Sequence, residues 1–332
     1  MKIQLLDLLC CPLTQQKLQL RNPVNSGEEI VSGFLITDCG KYSYPVVNGI
    51  PRFVSNSNYA DNFGMQWNHF RQTQLDSYSG QTISKDRFFH ATGWLPQEME
   101  GQWVFDVGCG AGRFAEIALS AGANVVALDY SSAIDACYEN LRNHTNLHLV
   151  QGDIYALPFA DSTFPFIYSL GVLQHTPNVE KAFHSLVPKL APTGKLCVDF
   201  YWKRFRTMLH AKYLFRPITK RMSQDSLFSL LQRVTPTLLF MSNALRKIPL
   251  VGKLLMRAIP VANYCGIFPL TDKQLQEWAL LDTFDMLAPA YDQPQSVQTI
   301  KKWFAEDQME KIEVFQASHL VGRGCKPANR YH

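Results

Sequence analysis

The sequence predicts an α/β fold: a doubly wound, mostly parallel sheet, preceded by a small β-rich unit and interrupted by a helical insertion. Three observations lead there. Apolar strand-like runs near 103–107, 123–128, 147–151, 164–169 and 195–201 alternate with helical segments at about 112–120, 132–143 and 178–190, and strands joined by helical crossovers pair in parallel. The first run, Trp103-Val-Phe-Asp-Val107, passes straight into a glycine-rich turn and a helix. Near the C-terminus a helix, Ser296–Glu306, leads into two short strands, Lys311–Ala317 and His319–Cys325, spaced for a hairpin.

The bulk numbers agree. The 332 residues suffice for one large α/β domain and an accessory unit. With 46% hydrophobic and 18% charged residues the chain falls outside the disordered class. Met1–Leu9 is too short, and too broken by Asp7, for a secretory signal. The most apolar stretch, Ile248–Leu270, is interrupted by Pro249, Lys253, Arg257, Pro260 and Pro269 and does not read as a membrane span. Eight cysteines without a framework spacing predict reduced thiols and a cytoplasmic location.

Five segments follow in order. Residues 1–54 alternate short β-type runs (17–20, 33–36, 44–47) with turn signals such as Asn48-Gly49. Residues 55–100 open on a polar linker, Ser55–Asn58, and continue as an aromatic-rich helical segment expected to cap the site from outside. Residues 101–202 are the expected core of the sheet. Residues 203–260 break the alternation with a helical insertion, and 261–332 complete the core.

The chemistry gathers at the carboxyl ends of the first strands, where open α/β sheets bind ligands. Gly108, Gly110 and Gly112 let the backbone turn sharply and approach a ligand closely. Asp106, two residues earlier, can order that loop and face a cationic group. Val125-Val-Ala-Leu-Asp129 ends the second strand on a carboxylate able to accept both protons of a ribose diol. Leu147–Asp153 ends the third strand in Gly-Asp, whose carboxylate can accept from an adenine amino group.

This set, with Leu157-Pro-Phe159 and Phe166–His175, resembles class I methyltransferases dependent on S-adenosylmethionine, from about Gly101 to Val198. The resemblance implies a Rossmann-like sheet of order 3-2-1-4-5-7-6 with strand 7 antiparallel, and S-adenosylmethionine as cofactor. It implies that Gly108, Gly110 and Gly112 meet the methionine part, Asp129 the ribose, and Asp153 with Ile154 the adenine, with Asp106, Tyr130 and Leu170 also in the cofactor site. His175 follows the fourth strand, at the rim where acceptors approach in that family, and is the expected general base. Cys109, inside the glycine turn, is expected to pack, because methyl transfer needs no covalent enzyme intermediate.

Leu8–Leu13 and Asp38–Pro51 resemble the small zinc-ribbon-like domain that activates tRNA and release-factor methyltransferases. Each Cys-x-x-Cys knuckle keeps one position here. Cys10, Cys11 and Cys39 supply at most three ligands where tetrahedral zinc takes four, so no metal is expected.

Residues 203–257 hold twelve Lys and Arg against one acid, Asp225. That is +11, and since the whole chain carries +4 the remainder carries −7. Such asymmetry marks a surface for an anionic partner. The segment is also rich in Leu, Phe, Met and Ile, as in helices that lie on membranes. A lid over the site, an acceptor that is anionic or lipid-linked, and peripheral membrane contact are the expectations. Gln66, Trp67, Tyr201, Asp285 and Tyr291 are the expected acceptor contacts.

The reading that follows is a methyltransferase of a small-molecule acceptor in glycan, lipid-linked or secondary-metabolite assembly, directed to oxygen. An RNA methyltransferase is the alternative; the insertion's apolar content and its lack of interleaved aromatics weigh against nucleic acid. Leu170-Gly-Val-Leu stands where base- and amide-directed N-methyltransferases carry Asn-Pro-Pro-Tyr. A regulator that binds the cofactor without catalysis is the second alternative.

Overall fold

A computed structural model describes residues 1–54, 60–204, 211–249 and 251–328. The expected linker Ser55–Asn58 and part of the insertion, including Arg206, lie outside the described residues.

The N-terminal segment opens on a short helix, α1 (Ile3–Leu8), and builds a four-stranded antiparallel sheet in sequential order: β1 (Leu18–Ser26), β2 (Glu29–Thr37), β3 (Ser43–Val47) and β4 (Ile50–Pro51). Its first hairpin runs well past the expected Lys17–Leu20. β1 is solvent-exposed along most of its length, so no apolar alternation marks it, and pairing with β2 carries it to Ser26. Cys10 and Cys11 are buried and Cys39 is exposed. Each thiol has its own polar neighbour: Gln15 Oε1 at 3.5 Å, the Tyr44 hydroxyl at 3.3 Å and Thr37 Oγ1 at 3.5 Å.

Four helices then cross the face of the core: α2 (Asp61–His69), α3 (Asp76–Ser79), α4 (Ile83–Thr92) and α5 (Pro96–Met99). The core alternates β5 (Trp103–Val107), α6 (Arg113–Ser120), β6 (Asn124–Asp129), α7 (Ala133–Leu141), β7 (Leu147–Gln151), β8 (Phe164–Ser169), α8 (Val179–Leu186) and β9 (Leu190–Phe200). The insertion supplies α9 (Lys212–Thr219), α10 (Gln224–Arg246) and α11 (Gly252–Leu255). The chain closes with α12 (Asp272–Leu287), α13 (Val297–Glu306), β10 (Glu310–Gln316) and β11 (Leu320–Cys325).

The seven-stranded sheet has the order β10-β11-β9-β8-β5-β6-β7. β11 runs antiparallel to both β9 and β10, and the remaining pairs are parallel. This is the expected 3-2-1-4-5-7-6 order, a Rossmann-like sheet with strand 7 reversed. The central strands are buried on both faces, as parallel strands between helical layers must be. On one face Phe105 stacks on Phe164 at 4.6 Å, and Phe159 meets both edge-on. All three are fully buried, each contributing about 1.5–3 kcal/mol by leaving water. That cluster extends without a break into Leu5, Leu9, Leu35 and Val46 of the N-terminal segment. On the other face Trp94, Phe88 and Tyr168 pack edge to face beneath α4 and α6.

Candidate functional site

Strand β5 ends in the loop Gly108–Gly112, and the tip of β6 holds that loop in place. The Leu128 carbonyl accepts from Gly108 N and Cys109 N at 2.7 and 3.0 Å. Asp129 Oδ2 accepts from Gly110 N at 2.9 Å, while Oδ1 accepts from the Ser131 amide and hydroxyl at 2.8 and 2.7 Å. Burial pushes the Asp129 carboxyl upward, and the Ser131, Gly110 and Tyr130 donors offset part of that. Gly108 has φ +83° and a Cβ there would collide with Val172. At Gly110, φ +53°, a Cβ would come within 3.2 Å of the Trp67 ring. No residue but glycine fits both demands.

The loop forms the floor of a cavity of about 1030 Å³, at the top of the range for small-molecule sites. Of the expected residues, the wall includes Gly108, Gly110, Asp129, Tyr130, Ile154 and Leu170 on the loop side, with Trp67, His175, Tyr201 and Asp285 beyond them. Ile154 and Leu128 give the floor an apolar end.

Five expected residues stand outside that wall. Asp106 lies behind the loop, 2% exposed, with its Oδ2 unpartnered among the described residues. Burial pushes its carboxyl up to about 8; the neighbouring Tyr168 hydroxyl offsets part of this and the Asp129 charge adds to it. Gly112 serves packing, since a Cβ there would strike Leu141 and Cys137 of α7. Asp153 turns back on its own chain, its Oδ1 accepting from Tyr155 N at 2.9 Å. Gln66 is buried at 1% exposure, its amide atoms unpaired among the described residues. Tyr291 contributes its backbone: its carbonyl oxygen lies 3.0 Å from His175 Nδ1.

That contact defines His175. The residue sits in a 3₁₀ turn (Leu173–His175) after β8, between the rings of Phe63 and Tyr201 at 5.4 and 5.5 Å. A carbonyl only accepts, so in the neutral imidazole Nδ1 carries the hydrogen and Nε2 keeps its lone pair. Nε2 is buried and has no partner among the described residues.

The far wall joins segments distant in sequence. The Tyr201 hydroxyl donates to Asp285 Oδ2 at 3.0 Å. Asp282 accepts from Gln74 Nε2 at 3.0 Å and from the Tyr264 hydroxyl; burial pushes its carboxyl up to about 6. Arg113 donates to Ser84 and Gln74 at 2.8 Å and lies between the Phe114 and Trp278 rings. Burial, and then the Arg87 charge, lower its pKa to about 10. Arg87 donates to Asp199 at 2.8 Å, and although burial opposes it, Arg87 and His319 hold that buried carboxyl below its usual value.

Sequence reasoning missed Arg87, Arg113, Tyr264 and His319, whereas Asp282 belongs to the Asp282–Asp292 segment whose three carboxylates the sequence offers as acceptor contacts. One signal was available for Arg113. It opens α6, where a cation opposes the helix dipole and so needs another reason to be there. The insertion also contributes less than its position implied. Arg204 and Lys212 line the cavity, but the described part of α10 does not, and most of that wall comes from residues 262–286.

The cradle fits S-adenosylmethionine. Two glycines in positive-φ turns line the cavity floor, a carboxylate stands at the tip of β6, and the unpartnered Asp106 oxygen places latent negative charge behind the loop. Residues 105–198 match a family described as "Methyltransferase domain". A sterol 24-C-methyltransferase of Pneumocystis carinii is 33% identical over 139 residues, which is 40% of this chain and 36% of that protein. The demethylmenaquinone methyltransferase of Renibacterium salmoninarum is 33% identical over 122 residues, 36% of this chain and 50% of that one. A ubiquinone biosynthesis O-methyltransferase of Coxiella burnetii is 28% identical over 128 residues, 37% and 55% of the two chains. The chain thus spans about a third to just over half the length of these curated relatives. Among solved structures, human N-acetylserotonin methyltransferase superposes with a TM-score of 0.43 at 12% identity, covering 80% of this chain and 57% of that one. Residues 105–198 match the methyltransferase-domain family, and the cradle suits S-adenosylmethionine as its cofactor.

Proposed function

We propose that this chain transfers a methyl group to an oxygen of a small, oily acceptor, with His175 as general base. The observation that carries the reading is the hydrogen bond from His175 Nδ1 to the Tyr291 carbonyl, which leaves Nε2 as the free basic nitrogen of a residue in the cavity wall. S-adenosylmethionine supplies an electrophilic methyl on a sulfonium. Gly108, Gly110 and Asp129 would hold it, with Ile154 and Leu170 against its apolar parts. His175 Nε2 takes the acceptor's hydroxyl proton as the oxygen acquires the methyl, and the Tyr291 carbonyl stabilises the resulting imidazolium. Tyr201, held by Asp285, orients the acceptor.

The relatives' names support an oily acceptor, since sterols and menaquinone are lipids. Arg113 and Arg204, wall cations that pair with no carboxylate among the described residues, support one that also carries an acidic or phosphate group, or a lipid-linked carrier. A cavity of this size takes a small acceptor whole, which ranks this reading above a polynucleotide substrate. The test is transfer from methyl-labelled S-adenosylmethionine into an extract of the source cell. Label is expected in the lipid or small aqueous fraction. Label in nuclease-sensitive, acid-precipitable material would replace this reading with the RNA one.

Cofactor affinity is expected to depend on pH through Asp106. Its carboxyl, at about 8, is largely neutral below that pH. A cationic ligand favours the ionised form, so binding below pH 8 releases a proton and affinity rises with pH, by at most tenfold per unit, levelling off above 8. Calorimetry in buffers of different ionisation enthalpy should show this proton release in the wild type and its loss in Asp106→Asn. Equal release in both proteins would assign the proton elsewhere.

A further inference from the structure

The helices of the insertion present their oily residues to solvent. On α9 the two cations point inward: Lys212 and Arg216 are buried, and Lys212 pairs with Asp292 at 2.8 Å. Outward on the same helix stand Leu214, Phe215 and Ile218, at 78, 44 and 65% exposure. On α10, Phe240 and Met241 are exposed, and Ala244 and Ile248 continue the same stripe at helical spacing. Val251, Leu254 and Leu255 extend it along α11.

These pieces belong to one layer, since α9 and α10 both pack on α12. α11 packs on the end of α10, and Arg246, at that end, donates to the Cys265 carbonyl. The turn at 265–267 carries another exposed apolar residue, Ile267. The same helices and the turns that follow them carry Lys220, Arg221, Arg233, Arg246 and Lys247, all exposed, against one acid within 211–249, Asp225.

A water-facing helix normally turns its cations outward and its apolar residues inward. Folded monomers rarely leave apolar surface of this extent open. Apolar residues flanked by cations suit a bilayer interface bearing negative charge: the apolar side chains enter the acyl boundary and the cations meet the headgroups. No described helix is long and apolar enough to cross a membrane, so the contact is peripheral.

We propose that this surface, formed by α9, α10, α11 and the 265–267 turn, docks on an anionic lipid bilayer. The surface adjoins the cavity: Ile267 lines it, as do Tyr264 and Phe268 beside it. Docking therefore brings the cavity to the membrane face, where an oily acceptor is dissolved. That last step rests on the acceptor class proposed above; the docking itself does not.

The test is flotation of the full chain with phosphatidylcholine vesicles, with and without phosphatidylglycerol. Flotation is expected with the anionic vesicles and is expected to fall steeply with salt. The double variant Phe240→Ser/Leu254→Ser should lose at least tenfold in vesicle affinity, and Arg233→Glu/Lys247→Glu should lose as much. Calorimetric binding of S-adenosylmethionine should be unchanged in both, which confirms their folding. Absence of flotation with either vesicle overturns the proposal, as does flotation that ignores both double variants. A dimer that the apolar variant dissolves, without vesicle binding, would assign the patch to a second copy of this chain. Flotation without methyl transfer would spare this inference and sink the proposed activity, and the converse would do the reverse.

Discussion

Replacing His175 with alanine is expected to lower kcat by about 10²- to 10⁴-fold, the usual worth of a positioned general base. The affinity for S-adenosylmethionine should stay within about twofold, because His175 makes none of the hydrogen bonds that hold the glycine loop. His175→Gln separates proton transfer from shape. A glutamine can still donate to the Tyr291 carbonyl, but it cannot take a proton at physiological pH. Both variants should therefore fall together. Added imidazole should restore part of the alanine variant's rate, since the deletion leaves space between Phe63 and Tyr201 for the missing ring. A glutamine variant with near-wild-type kcat would show that His175 packs the rim and that the acceptor needs no base.

The second large effect is expected at Asp129. Asp129→Ala removes a carboxylate from the cofactor side of the cavity and should weaken binding by about 1–3 kcal/mol, roughly five- to 150-fold. The structure adds a second cost. The same carboxylate accepts from Gly110 N and from Ser131, so the alanine variant also releases the glycine loop from β6. Ser131→Ala keeps the carboxylate and Gly110 bond and removes one hydroxyl donor, so it should shift affinity by much less. Calorimetry with S-adenosylhomocysteine, whose sulfur is neutral, reads the ribose contact apart from the charge on the methyl donor. Unchanged affinity in Asp129→Ala would mean that this carboxylate only builds the loop.

The glycine loop and Asp129 were legible in the sequence because each sits at the end of a short apolar strand, and strand ends are local features. The sheet order came with the resemblance to class I methyltransferases; the strand–helix alternation by itself implied only a parallel, doubly wound sheet, which the terminal hairpin suited. The far wall was not legible in the same way. Tyr201 and Asp285 were expected there, but Tyr264 and Arg113 join the same wall only through the packing of residues 262–286, and no periodicity encodes that approach. Asp153 and Tyr291 mark a different limit. Their positions along the chain were suitable, yet one carboxylate turned to its own backbone and the tyrosine served through its carbonyl. A sequence shows which side chains are available, and not which atom of a residue a site will use. The start of β9 at Leu190 was missed because Pro192 and Gly194 interrupt the strand pattern, while pairing with β8 carries the strand through them with a change of register.

The seam between the N-terminal sheet and the core bears on the order of events during synthesis. Lys2 donates to the Thr145 carbonyl, Leu9 pairs with Phe159, and Phe53 N reaches the Gln151 carbonyl. The apolar face of the first fifty residues is thus completed by strands roughly a hundred positions later. While the ribosome makes those strands, the early segment has no surface on which to settle. It emerges before the core and finishes late, and during that interval its open edges are exposed to mispairing.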